Sequence, residues 1–261
     1  MNNRPIKKLD ALVCDLDGTL LHSQKEAIAV EGRTRASFIS QDAALVLSDI
    51  SQIFPIVIAT GRNSASVYKL VRKLPNVKFS GFVLENGFVA KNKIDDESTL
   101  KSVHDWDKIA SLFPEWERLP FYENCVGFVF NFDKNDIDRG AIDLKLEYAK
   151  SILEQNGYNY PVYKEIRKIF IYPDHVDKMK GLALLGINPY IVMGDGTNDI
   201  QIMEQSTFAI TLSSGASKLK EIVNKKNGFC SMQEEHNAAF EMLEFAYNKI
   251  KGLLEIQKLS G

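Results

Sequence analysis

At 261 residues, with 45% hydrophobic and 25% charged side chains, the chain has the composition of a globular protein built as one large α/β domain or a core plus a smaller unit. Its 32 basic side chains nearly balance 34 acidic ones, a net charge of −2, which excludes any general electrostatic attraction to nucleic acid or to an anionic membrane. Three scattered cysteines (Cys14, Cys125, Cys230), odd in number and without a C-x-x-C spacing, exclude a disulfide frame and a cysteine zinc site, and read as reduced thiols.

The N-terminal MNNRPIKKLDALVCDLDG meets acidic residues after few apolar ones, so it does not read as a signal peptide. No apolar run reaches membrane-spanning length, and the expected location is the cytoplasm. The run LDALVC (9–14) then reads as a buried strand ending against Asp15 and Asp17. SQDAALVLSDISQIF (40–54) has helical spacing, FPIVIAT (54–60) is a strand, NSASVYKLVRKLP (63–75) a helix and FSGFVLENG (79–87) a strand.

From 91 to 174 the rhythm changes. A short helix at DWDKIASLF (105–113) precedes a strand at CVGFVFNF (125–132). A long helix over 139–158 follows, then an alternating hairpin, YPVYKEIRKIFIYP (160–173). This segment reads as an inserted α+β module. Alternation resumes with the helix DKMKGLALLGI (177–187), strand NPYIVMGD (188–195), helix NDIQIMEQS (198–206), strand FAITLS (208–213) and helix SKLKEIVNKKNG (217–228). The last stretch, 234–259, places Ala239, Met242, Leu243, Ala246, Ile250 and Leu253 at helical spacing, as in a helix packed on the core. The expectation is therefore an α/β fold: a Rossmann-like doubly wound parallel sheet from residues 1–90 and 175–261, with a smaller α+β domain inserted at 91–174.

In such a sheet, ligands bind outside the carboxyl ends of the strands. After the first strand, Asp15 and Asp17 are two apart and on an extended chain point the same way. Gly18 permits a sharp exit, so a plain turn would also explain the stretch. A carboxylate there can attack phosphorus, while the other gives and takes a proton. After the second strand, Thr60 and Gly61 offer a hydroxyl and an open N–H to an anion, or Thr60 simply caps a helix. The third strand ends in LENG, whose Asn-Gly suits a turn. In VDKMKGLALL a lysine before a glycine opens a helix, either to neutralise a phosphoryl group or to be solvated. After the fourth strand, GDGTND presents Asp195, Asn198 and Asp199, carboxylates fit for a hard cation or for helix capping. Plain turns and caps throughout would require four coincidences at four strand ends.

DLDGT, TGR, KG.AL and GDGTND, in this order, resemble the haloacid dehalogenase-like (HAD) superfamily of phosphohydrolases. The resemblance covers about 10–90 and 175–230. The position of the insert is similar to the branch with an α+β cap domain between the second and third motifs: Cof-type, sucrose-phosphate and mannosyl-3-phosphoglycerate phosphatases, and phosphomannomutases. The resemblance implies Asp15 as nucleophile and Mg²⁺ ligand, and Asp17 as general acid/base with its carbonyl on the metal. Thr60, Gly61 and Asn198 would bind the phosphoryl group, Asp195 would ligate Mg²⁺ and Asp199 would support the metal. Lys180, directly before Gly181, is chosen over Lys178 as the motif lysine. The segment AIAVEGRTRASFIS (27–40) is longer than Cof-type members lead one to expect, and the compact cap carries no specificity motif.

The expected activity is Mg²⁺-dependent hydrolysis of a small phosphorylated metabolite, a sugar phosphate or phosphoglycerate derivative. No nucleic-acid or membrane partner is expected, and a homodimer is compatible with the chain. Tyr122, Asn124, Arg167 and Lys168 are candidates in the insert for substrate contact. The alternatives are a sugar phosphomutase and a catalytically silent binding module. A nucleotide-binding dehydrogenase is disfavoured, since no G-x-G-x-x-G follows the first strand.

Overall fold

The computed structural model describes residues 9–33, 35–138 and 140–260. The N-terminal octapeptide read above as lacking a signal lies outside them. Internal contacts divide the chain into two units, residues 1–99 with 177–261, and residues 100–176.

The first unit opens with β1 (Leu9–Cys14), a hairpin of β2 (Ile28–Val30) and β3 (Ser37–Ile39), α1 (Gln41–Ile53) and β4 (Ile56–Ala59). It continues through α2 (Ser64–Lys73), β5 (Phe79–Leu84) and β6 (Val89–Lys91). The insert contains α3 (Trp106–Ser111), β7 (Glu117–Arg118), β8 (Val126–Val129), α4 (Lys134–Asp138), α5 (Ala141–Gln155), β9 (Val162–Glu165) and β10 (Lys168–Ile171). The chain then returns to the first unit through α6 (Lys178–Leu184), β11 (Ile187–Met193), α7 (Ile200–Gln205), β12 (Phe208–Leu212), α8 (Ser217–Lys225), β13 (Phe229–Ser231) and α9 (Glu235–Ser260).

The core sheet has the order β13-β12-β11-β1-β4-β5-β6, with every neighbouring pair parallel except β5–β6. Its central strands read as unbroken apolar runs because both faces are covered. Leu12 and Cys14 of β1 join Ile56 and Ile58 of β4 in the layer that holds Leu47 of α1, Leu70 of α2 and Met242 of α9. Ala11, Val13, Val57 and Ala59 face the opposite layer, with Leu182 of α6, Ile202 of α7 and Leu219 of α8. Full burial of each Val, Leu, Ile or Met side chain among these is worth about 1.5–3 kcal/mol. The expected doubly wound parallel sheet is thus the fold observed, with β6 as its one antiparallel strand.

The insert was expected to start at residue 91 and end at 174. In the division by contacts it starts at Leu100 and ends at Val176. The difference at its start follows from Val89–Lys91, which pairs with β5, and from Thr99, whose N–H bonds the Ala90 carbonyl at 2.9 Å.

Taken by itself, the insert is a four-stranded antiparallel sheet in the order β7-β8-β10-β9. Its core comprises Trp106, Ile109 and Phe113 from the α3 region, Phe128 and Ile169 from the sheet, and Ala149 and Leu153 from α5. Among the described residues no helix is long and apolar enough to cross a membrane.

Candidate active site

β1 ends at Cys14, and the chain then makes one tight turn in which the amides of Thr19, Leu20 and Leu21 all point to the Leu16 carbonyl at 3.2, 2.9 and 2.8 Å. Gly18 takes φ +81° in this turn. A Cβ there would stand 2.2 Å from Asp195 Oδ2, so only glycine lets the Asp195 carboxylate lie against the turn. Thr19 completes the contact by donating its hydroxyl to Asp195 Oδ1 at 3.2 Å.

Asp15 leaves the strand end buried, and its Oδ1 accepts from Lys178 Nζ at 2.8 Å. The same ammonium donates to Oδ1 of the fully buried Asp199 at 2.6 Å, and Asp199 Oδ2 accepts from the Gly196 N–H at 3.1 Å. Asp15, Asp195 and Asp199 each present an oxygen within 4.8 Å of the others, a set that could hold a metal ion. An isolated ammonium buried as Lys178 is would cost several kcal/mol, and the two carboxylates offset that. Burial alone would lower the pKa of Lys178, but Asp15 and Asp199 outweigh it and raise it, so the ammonium stays charged. Asp15 is raised by burial, against the pull of Lys178 and with the push of Asp199. Burial, with Asp199 adding to it, pushes Asp195 up to about 6.

The motif lysine at the carboxylates is Lys178, which corrects the choice of Lys180. Asp177 caps α6, accepting from the amides of Met179 and Lys180. Two residues on a helix are about 200° apart, so Lys178 and Lys180 face opposite ways. Lys178 shares its side with Gly181, which packs on Val83 of β5, while Lys180 is exposed.

Asp17 departs from the expectation that two carboxylates would share one volume. The extended chain stops at Cys14, and the Asp17 side chain is largely exposed, with its oxygens held by Arg62 Nε at 2.7 Å and Nη2 at 2.5 Å. Arg62 Nη2 also donates to Ser37 Oγ of β3 at 3.0 Å. The reading of the sequence missed Arg62, although it stands in the quoted TGR. Nor did it resolve the β2–β3 hairpin in the segment that seemed too long.

Thr60 is buried at the end of β4, and its hydroxyl accepts from the Arg62 N–H at 3.3 Å. The cap of α2 is Asn63, which accepts from Ser66 N–H at 2.9 Å, so helix capping does not account for Thr60. LENG is no ordinary turn. Glu85, Asn86 and Gly87 have φ of 50°, 55° and 108°, and a left-handed conformation costs a non-glycine residue about 1–2 kcal/mol. Asn86 ties the ends of β4 and β11 to the start of α6. Its N–H bonds the Thr60 carbonyl at 3.0 Å, its carbonyl accepts from Asp177 N–H at 3.0 Å, and its side-chain oxygen accepts from Asn198 Nδ2 at 3.0 Å. Its amide also covers Gly61, where a Cβ would lie 3.1 Å from Asn86 Nδ2.

Within the insert, Tyr122 packs edge-on against Phe170 and the buried Asn124 donates to the Leu100 carbonyl at 3.3 Å. Lys168 pairs with Glu165 at 2.7 Å, and Arg167 is exposed at the β9–β10 turn.

The sequence profile of the haloacid dehalogenase-like hydrolases matches residues 12–115 and 115–243. A phosphoglycolate phosphatase of Methanosarcina acetivorans is 25% identical over 254 residues, spanning 91% of this chain and 96% of that protein. A haloacid dehalogenase-like hydrolase from Bacteroides thetaiotaomicron superposes with a TM-score of 0.68 at 18% identity, covering 91% of this chain and 99% of its own. A sugar phosphatase of HAD subclass IIB superposes at 0.57 with 16% identity, again over 91% and 99%. These two likenesses establish a shared fold.

Proposed function

The chain belongs to the haloacid dehalogenase-like hydrolase family and is a phosphatase, and we propose that it hydrolyses a small phosphorylated metabolite with Mg²⁺ through an aspartyl phosphate on Asp15. The observation that carries the reading is the buried Lys178, bridging Asp15 and Asp199 within reach of Asp195 at the ends of β1 and β11.

The donor set fits a hard divalent cation. It consists of carboxylate oxygens, two of its three residues are buried, and Asp15 and Asp195 are raised by burial with Asp199 adding to each. A cation relieves that repulsion. Asp15 and Asp195 would hold it, with the Asp17 carbonyl, and Asp199 would support it. Bound there, Mg²⁺ supplies charge neutralisation between an anionic phosphate and an anionic nucleophile.

Asp15 forms the new bond to phosphorus as the ester P–O bond breaks, with its orientation fixed by Lys178. Thr60, the N–H of Gly61 and Asn198 bind the phosphoryl oxygens. Asp17 protonates the leaving oxygen, then takes a proton from the water that cleaves the acyl phosphate. In the resting site Arg62 holds the Asp17 carboxyl group through both of its oxygens. For the first half the pair opens and Asp17 carries a proton, leaving the guanidinium for the phosphoryl group.

Similarity to phosphoglycolate phosphatases supports a small carboxylated phosphate ester, and the fold shared with a sugar phosphatase supports a sugar phosphate. Phosphate release from 2-phosphoglycolate, phosphoglycerates, sugar phosphates and an aryl phosphate, with Mg²⁺ and with chelator, tests the reading. We expect chelator-sensitive release that Asp15→Asn lowers by about a thousandfold or more in a folded protein. Release that survives Asp15→Asn overturns the nucleophile. Silence across the panel overturns broad hydrolysis and favours a mutase or a binding module.

A further inference from the structure

Among the described residues, two buried side-chain polar atoms lack a hydrogen-bond partner: His22 Nε2 and His236 Nδ1. They belong to two rings that touch, with centroids 5.2 Å apart and planes at 84°. Both residues are more than nine-tenths buried, at 8% and 7% exposure. His22 follows the turn that carries Asp17 and Thr19, and His236 stands in the first turn of α9.

Each ring already uses its other nitrogen on the backbone. His236 Nε2 lies 2.8 Å from the Gln24 carbonyl, and His22 bonds the backbone of Thr19. A ring nitrogen facing a carbonyl carries the N–H, so in each neutral ring the remaining nitrogen is a bare lone pair. Two lone pairs cannot satisfy one another, and such buried groups call for a shared electrophile, water or proton.

We propose that His22 and His236 form a binding site for a borderline divalent transition ion of the Zn²⁺, Co²⁺ or Ni²⁺ class, separate from the carboxylates of Asp15, Asp195 and Asp199. The ring spacing fits, because imidazoles bound at about 2.0–2.1 Å to one tetrahedral ion have centroids about 5 Å apart. Rotation about the metal–nitrogen bonds leaves the interplanar angle free. The bonds to Gln24 and Thr19 are the outer contacts that fix tautomer and ring orientation in metal-binding histidines. Glu235, beside His236, takes φ 47°, and its negative charge acts on His22. Imidazole nitrogen favours these ions over Mg²⁺. Burial, with His236 next, lowers the pKa of His22 and keeps the ring neutral, the state a ligand needs. An ion held there would staple the start of α9 to the segment leading from the carboxylate turn.

The test titrates untagged, chelator-stripped chain with Zn²⁺ by calorimetry and with Co²⁺ by visible absorption, in wild type, Asp195→Asn, His22→Gln and His236→Gln. Asp195→Asn weakens the carboxylate set and leaves the histidines untouched. We expect one nitrogen-ligated equivalent to persist in Asp195→Asn and to weaken at least tenfold in each histidine variant. The Zn²⁺-induced rise in melting temperature disappears with it. Metal-free melting checks that each variant folds, and each histidine variant carries the test if the other does not fold. Equal Zn²⁺ affinity in wild type and the histidine variants, or no binding by Asp195→Asn, overturns the site and leaves a water or a shared proton between the rings. None of these readouts depends on phosphatase activity.

Discussion

The carboxyl end of the core sheet and the interior of the insert are both densely filled, but by opposite means. At the sheet end, Lys178, Asp15 and Asp199 are buried ionisable groups that tolerate one another only through direct pairing. In the insert, Phe113, Trp116, Phe128 and Tyr148 pack ring against ring, with Phe113 and Trp116 stacked at 4.7 Å and Phe113 and Phe128 at 5.3 Å. Loss of one partner in the first region leaves a charge stranded, whereas in the second it leaves a space. The first arrangement is specific to chemistry, while the second would serve any fold.

The sharpest break in that comparison is Lys178→Ala, which strands two buried carboxylates. It should cost about 3–5 kcal/mol in urea unfolding and abolish turnover together. Phe113→Ala should cost about 3–5 kcal/mol in the insert through transfer and cavity alone. Mg²⁺ affinity, read by calorimetry, should stay unchanged, and a weakened affinity would mean the two regions are not separable in this way. Asn86→Gly is milder. Glycine suits φ 55°, so melting should hold while kcat/KM drops about tenfold to a hundredfold, and Asn86→Ala should add a stability loss.

Asp195 gives a pH signature. Its pKa is about 6 in the metal-free fold against about 4 unfolded. Its contribution to metal-free stability is therefore full below about 4 and lost as pH rises through about 6. A cation must displace that proton, so Mg²⁺ affinity should fall about tenfold per pH unit below about 6 and level off above it. Affinity independent of pH between 5 and 7 would remove Asp195 from the metal set. Smallest of all, Lys180→Ala should change stability by no more than about 0.5 kcal/mol and leave turnover intact.

Much of this was legible in the sequence because strand ends in a parallel sheet are where apolar runs stop, and the acidic residues stand at those stops. Asp15, Thr60, Asp195 and Asp199 could be placed that way. Lys178 could not be fixed by the motif spacing, since Lys178 and Lys180 both precede Gly181. The packing face of α6, marked by Gly181 against Val83, was the signal that separates them. Arg62 and Asp17 meet across loops, a pairing no periodicity encodes. Asn86 looked like a turn residue because its part lies in bonds to Thr60, Asp177 and Asn198, far apart in the chain. β2, β3 and β13 are three residues each, too short for alternation to register.

The same brevity protects the molecule. The seven-stranded sheet ends on one side in β13 and on the other in β6, three residues apiece. At β6 the groups of Ala90 are taken, its N–H by Ser98 Oγ at 3.3 Å and its carbonyl by Thr99 N–H at 2.9 Å and Thr99 Oγ1 at 3.1 Å. A foreign strand approaching there finds little ladder to extend. The central strands, apolar and almost uncharged, are the kind of segment that pairs readily when exposed, and here they lie inside the sheet, so that what its two edges offer a neighbour is short and partly used.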